Sequence, residues 1–94
     1  GATVESARGL LATLPADADK AEVLNYLAVS TGEREDFDRA LAMAAAARVR
    51  NDALAPAEMS LRLALGMLPV SPEMAGEAFA QAYDLALKIA VKFP

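Results

Sequence analysis

Apolar residues return along this chain at alternating intervals of three and four, the period of a helix with one covered face. Val4, Ala7, Leu11 and Leu14 keep that spacing, which predicts a short amphipathic helix over Thr3 to Leu14. Glu5 and Arg8 lie off its seam, and Pro15 stops it, since the residue before proline avoids helical geometry. After the polar link Ala16 to Ala18, Asp19-Lys20-Ala21-Glu22 reads as a capping box. The second helix then carries Val23, Leu24, Leu27 and Ala28 on one face, with Tyr26 and Val29 to the side. The next break falls at Ser30-Thr31-Gly32-Glu33. Either Gly32 closes the second helix in a left-handed conformation, or Ser30 caps the third with Glu33 reaching back to its amide.

The third helix is predicted over about Glu33 to Asn51. Phe37, Ala40, Leu41, Ala44 and Ala47 form its inner face, and the run Ala44 to Ala47 lets another helix lie near. Acids crowd its start while Arg48 and Arg50 close its end, as the helix dipole favours. Asp52 to Ala55 is a loop, and Pro56 opens a short fourth helix whose only charges are Glu58 and Arg62. Gly66 falls in its last turn, and Pro69-Val70 ends it.

The last segment is the most informative. Ser71-Pro72 is a helix start: the serine oxygen accepts from a free amide, and proline suits the first helical position. Ala75, Phe79, Ala82, Ala86, Ile89 and Phe93 then draw one apolar seam. Glu77, Gln81, Asp84, Lys88 and Lys92 make a polar edge, with Asp84 and Lys88 at i,i+4. Tyr83, Leu87, Ala90 and Val91 leave the remaining side apolar as well. A helix apolar on two sides needs cover from other helices or from another chain.

Composition sharpens this picture. The 94 residues are expected to form one helical domain, 1–94, long enough to bury a core unaided. The opening Gly1-Ala2, in place of methionine, points to a domain excised from a longer protein. Alanine makes up about a quarter of the chain, which favours closely approaching helices and suits a GC-rich bacterial genome. Two tyrosines, three phenylalanines and few β-branched residues argue against a sheet. No apolar run approaches the roughly 18 residues of a spanning helix, so no transmembrane segment is expected. The net charge of −4 disfavours phosphate backbones and anionic membranes.

Candidate chemistry is sparse. Cysteine and histidine are absent, which removes thiolate nucleophiles, the usual structural zinc and the commonest general base. Glu33, Glu35, Asp36 and Asp38 lack the alternating oxygen ligands and central glycine of a calcium loop, and read as a solvated, dipole-favoured helix start. Arg39, Arg48 and Arg50 are the residues that would meet phosphate, but no glycine-rich loop precedes them. Met43, Met59, Met67 and Met74 are either core filler or the lining of an adaptable groove. Ser60, in Glu58-Met59-Ser60-Leu61, resembles in two residues the Asp-Ser-Leu motif at which acyl carrier proteins hold their prosthetic arm. Methionine stands where the aspartate belongs, and the serine comes late in the chain on a short buried helix.

These readings converge on an all-α, compact antiparallel bundle of about five helices, with the last, about 72–92, long and central. The expected core is Leu11, Leu14, Leu24, Leu27, Phe37, Leu41, Leu61, Leu65, Phe79, Ala82, Ala86 and Ile89. The expected role is protein–protein interaction without catalysis, cofactor or metal. Its partner would be another protein, another region of the parent protein or a second copy of the chain. A nucleic-acid-associated regulator and a small carrier or ligand-binding bundle are the alternatives. The partner-binding surface is expected at Tyr83, Leu87, Val91 and Phe93, with Leu54 as a possible addition.

Overall fold

The computed structural model describes residues 2–15 and 17–92. Five helices follow one another: α1 (Ala2–Leu11), α2 (Ala18–Thr31), α3 (Arg34–Ala46), α4 (Ala55–Met67) and α5 (Pro72–Lys92). Among the described residues there is no strand, only an isolated bridge between Val49 and Asp52. The fold is an all-α bundle.

Local chemistry sets the boundaries. Asp17, not Asp19, caps α2, accepting from the amides of Asp19 (3.0 Å) and Lys20 (3.3 Å). Gly32 closes it at φ 67°, donating its amide to the Ala28 carbonyl, so the left-handed alternative is the one realised. The third helix stops at Ala46, five residues short of the predicted Asn51. Asn51 sits at φ 63° within a turn closed by the Asp52 amide and the Val49 carbonyl, a position that suits asparagine. Asp52 then accepts from the Leu54 amide, and the chain enters α4. Arg48 and Arg50 therefore lie in a loop and do not compensate a helix end. Ser71 caps α5 as its sequence predicts, its hydroxyl oxygen accepting from Met74.

The hub of the bundle is α4. It packs against α2, α3 and α5, whereas α5 meets α4 along the length of α4 only and α3 at one edge. The last helix is long but not central. The physical reason is charge: α5 carries an acid-and-base edge, while α4 has only Glu58 and Arg62 and tolerates cover on most sides. The main core joins Leu24, Ala28, Phe37, Ala40, Leu63, Ala64, Met67, Ala75 and Ala78. A smaller cluster joins Ala21, Ala44, Ala47 and Met59. All four methionines are buried or half-buried against these clusters, so they fill the core.

The expected core needs three corrections. Leu61 (41 % exposed) and Leu65 (54 %) point outward, and Ala86 is exposed. An element apolar all round offers no polar side to show which way it faces, and on α4 the buried row is Met59, Leu63 and Met67. On α5 the buried row is Ala75, Ala78 and Ala82, with Phe79 and Ile89 half-buried. Alanine at so many positions leaves the seam free to rotate by one residue.

At Gly66 the side chain of Val29 on α2 packs tightly against the α4 backbone. A Cβ there would lie 2.8 Å from Val29 Cγ2, whereas one at Gly76 on α5 would meet nothing within 4 Å. Gly76→Ala should therefore stabilise the fold by about 0.5–1 kcal/mol through helix propensity. Gly66→Ala should destabilise it by about 1 kcal/mol despite the same propensity gain, because stiff Val29 must give way. Urea unfolding of both variants checks this, and Val29→Ala should rescue Gly66→Ala.

Candidate functional site

The Cα extents are 46 × 30 × 15 Å. With Cα atoms about 2.3 Å from each helix axis and packed axes about 8–10 Å apart, a thickness of 15 Å is two layers of helices, so each helix keeps an outward face. The α4–α5 hairpin is where that matters most. Ser60 and Gln81 fix its antiparallel register with a 2.9 Å hydrogen bond. Ser60 lies five residues from the α4 start at Ala55, but Gln81 lies eleven from the α5 end at Lys92. The C-terminal turns of α5 thus run past α4 with nothing from it to cover them.

Leu87 and Val91 occupy this stretch at 44 and 79 % exposure, and Tyr83, 65 % exposed, stands one turn before it beside the start of α4. They lie on the side of α5 opposite Ala75, Ala78 and Ala82, and exposed Gly76 and Ala80 extend their row toward the helix start. Tyr83 also lines an open groove of about 520 Å³ together with Leu54, Ala57, Leu61, Phe79, Ala82 and Ala86, with Glu58 the one charged residue in its wall. Exposed Leu65 and Leu68 continue the α4 row beyond Leu61 at i+4 and i+3. Three of the expected binding residues therefore stand on one solvent-facing apolar stripe, and Leu54 joins it through the groove. Phe93 lies outside the described residues. Leu61, Leu65 and Leu68 belong to the same surface, and the signal for them was the all-round apolarity of α4.

The acidic cluster does not converge. Glu35 pairs with Arg39 at 2.7 Å and Asp38 with Arg34 at 3.3 Å, both on the surface. Asp36 turns inward, takes both Arg8 guanidinium nitrogens at 3.0 and 3.1 Å, and receives the Thr31 hydroxyl at 2.7 Å. The Arg8 hydrogen bonds, then that of Thr31, hold its carboxyl below the usual carboxylate range. Arg34 also grips Glu77 at 2.7 and 2.9 Å and pulls that carboxyl down. Arg62 spans Glu22 and Glu58 at 2.9 and 3.0 Å. These arginines tie α1 to α3, α3 to α5 and α2 to α4. Among the described residues no group of three or more His, Cys, Asp or Glu is placed to hold a metal.

The remaining candidates are occupied or enclosed. Ser60 is fully buried, its hydroxyl donating to the Pro56 carbonyl at 2.8 Å and accepting from Gln81. Gln81 also donates to the Leu41 carbonyl at 2.8 Å, so this supposed polar-edge residue clasps α3, α4 and α5 together. A prosthetic arm has no room at that serine. Arg39 is engaged by Glu35, and Arg48 and Arg50 stand apart from it in the loop after α3. No helix among the described residues is long and apolar enough to cross a membrane. No known protein family, curated protein or solved structure matches this chain.

Proposed function

We propose that this domain is a non-catalytic protein-interaction module, an adaptor, docking or assembly unit. Its partner, another protein or another region of the parent protein, contacts the outer face of α5. The observation that carries this reading is the uncharged exposed row Tyr83, Leu87 and Val91 with the adjoining Leu54–Leu61 groove. Contiguous apolar surface of this kind marks contact sites, because soluble monomers seldom leave more than a few hundred Å² uncovered. An aromatic residue beside aliphatic ones is also what the centre of an interface favours. Phosphate recognition has less support, since the chain carries net charge −4 and Arg39 is already paired.

The test is Leu87→Glu with Val91→Glu in the immobilised domain. The wild type should capture a protein from its source organism or associate with itself. The double variant should do neither, with an unchanged far-ultraviolet circular dichroism spectrum. A wild type that binds nothing, or a variant that binds equally, removes the proposal.

A further inference from the structure

We infer that the occupant of the outer α5 face is a second copy of this chain, its α5 antiparallel to the first across a two-fold axis near Leu87. This rests on the interaction reading above and commits it to one partner. The charge pattern carries it. Asp84 and Lys88 are both exposed and flank the Tyr83–Leu87–Val91 row on the same side. No ion pair among the described residues engages either of them.

Two-fold antiparallel pairing keeps that side of each helix together while reversing its direction. Residues whose numbers sum to about twice that of the axis position then meet. Asp84 of each copy comes within a turn of Lys88 of the other, and two opposite-charge contacts form. The same operation sets Tyr83 against Val91 and Leu87 against Leu87, so the apolar row is self-complementary too. Parallel pairing would instead put this side of the two copies on opposite edges of the seam, so Asp84 and Lys88 of one copy would meet neither of those of the other. Exposed Ala80, Ala86 and Ala90 beside the row add no bulk to hold the backbones apart. The projection of α5 past α4 leaves this stretch accessible to another helix. One helix pair of this length belongs with the smaller interfaces, below about 1,200 Å² in total, so the dimer is weak and reversible.

Sedimentation equilibrium on the whole chain, up to roughly 0.5 mM where a weak interface becomes visible, tests this. The wild type should dimerise. Asp84→Lys and Lys88→Asp should each weaken dimerisation roughly tenfold, by turning two attractive contacts repulsive, and high salt should shrink the difference. Combining both swaps in one chain should restore it, and so should mixing the two single variants. Because the chain has no cysteine, a second measurement is clean. Tyr83→Cys and Val91→Cys should form a disulfide only when mixed, since like positions would stand about 12 Å apart in the antiparallel pair. Self-crosslinking of either variant, or single swaps without effect, overturns the antiparallel dimer. A wild type that stays monomeric overturns the second copy as partner. In that case the interaction reading still stands or falls on capture of a different protein by the wild type but not by Leu87→Glu/Val91→Glu.

Discussion

Leu63→Ala should cost about 3 kcal/mol of stability, whereas Leu61→Ala and Leu65→Ala should each cost under about 0.5 kcal/mol. The three leucines share one helix and one chemistry, so the difference isolates burial. Leu63 is fully enclosed in the main core, among side chains from α2, α3, α4 and α5. Removing its three outer carbons forfeits their transfer free energy and leaves a void that the alanine-rich neighbours cannot refill. Leu61 and Leu65 lose little because half their surface is already in water. In a domain of this size Leu63→Ala should lower the melting temperature by roughly 10–20 °C. Equal losses for all three would mean that α4 is turned the other way and that its outer row is core.

The contrast also shows what the sequence could and could not convey. The helix breaks at Gly32 and Ser71-Pro72 were legible because glycine and a capping serine act locally. By contrast, α1 ends at Leu11 and not at the predicted Leu14, where the Thr13 hydroxyl turns back onto the Leu10 carbonyl ahead of Pro15. The inner face of α3 was legible at Phe37 and Ala40 for a related reason: Glu35, Asp38 and Arg39 around them are charges that face water. On α4 that information is missing, since only Glu58 and Arg62 mark a polar side. Periodicity therefore found the helix but not its orientation. The overrun of α3 to Asn51 came from carrying a favourable charge pattern through Val49 and Asn51, where a local turn and the Asp52 side chain offer the backbone an alternative. Asp36 and Gln81 looked like surface residues because the partners that bury them lie 28 and 40 residues away in sequence. The outer row of α5 was legible because an apolar side left over after a seam is assigned is visible in the spacing alone.

The second large effect lies at Asp36. Asp36→Asn should cost about 2 kcal/mol, the worth of hydrogen bonds to a buried charged group, because an amide nitrogen turned toward Arg8 sets donor against donor. Arg8→Ala should cost less: its side chain is 43 % exposed against 4 % for Asp36, and water can enter the space it leaves. Thr31 still donates to the carboxylate in that variant. The pH dependence follows from the direction of the shift. The folded-state pKa of Asp36 lies below its unfolded value, so in acid the unfolded chain takes up the proton first. The stabilisation is complete above the unfolded pKa of about 4 and is lost as pH falls through the lower folded value. Glu77, depressed by Arg34, acts in the same direction. Urea midpoints of the wild type should therefore drop steeply below about pH 4, and Asp36→Asn should flatten that drop. A variant with the same acid slope as the wild type would show that the Arg8–Asp36 pair is not formed in solution.

The two effects bear on function through what they leave alone. The core seals through α4, and the arginine bridges fasten α1, α2, α3 and α5 around it. Neither uses Tyr83, Leu87 or Val91, so the outer side of α5 is free to serve another molecule. Urea unfolding of the Leu87→Glu/Val91→Glu variant under conditions where the wild type is monomeric tests that separation most directly. Its unfolding free energy should match that of the wild type within about 0.5 kcal/mol. A loss of 2 kcal/mol or more, as expected for charges forced into a core, would contradict it and return both residues to the interior.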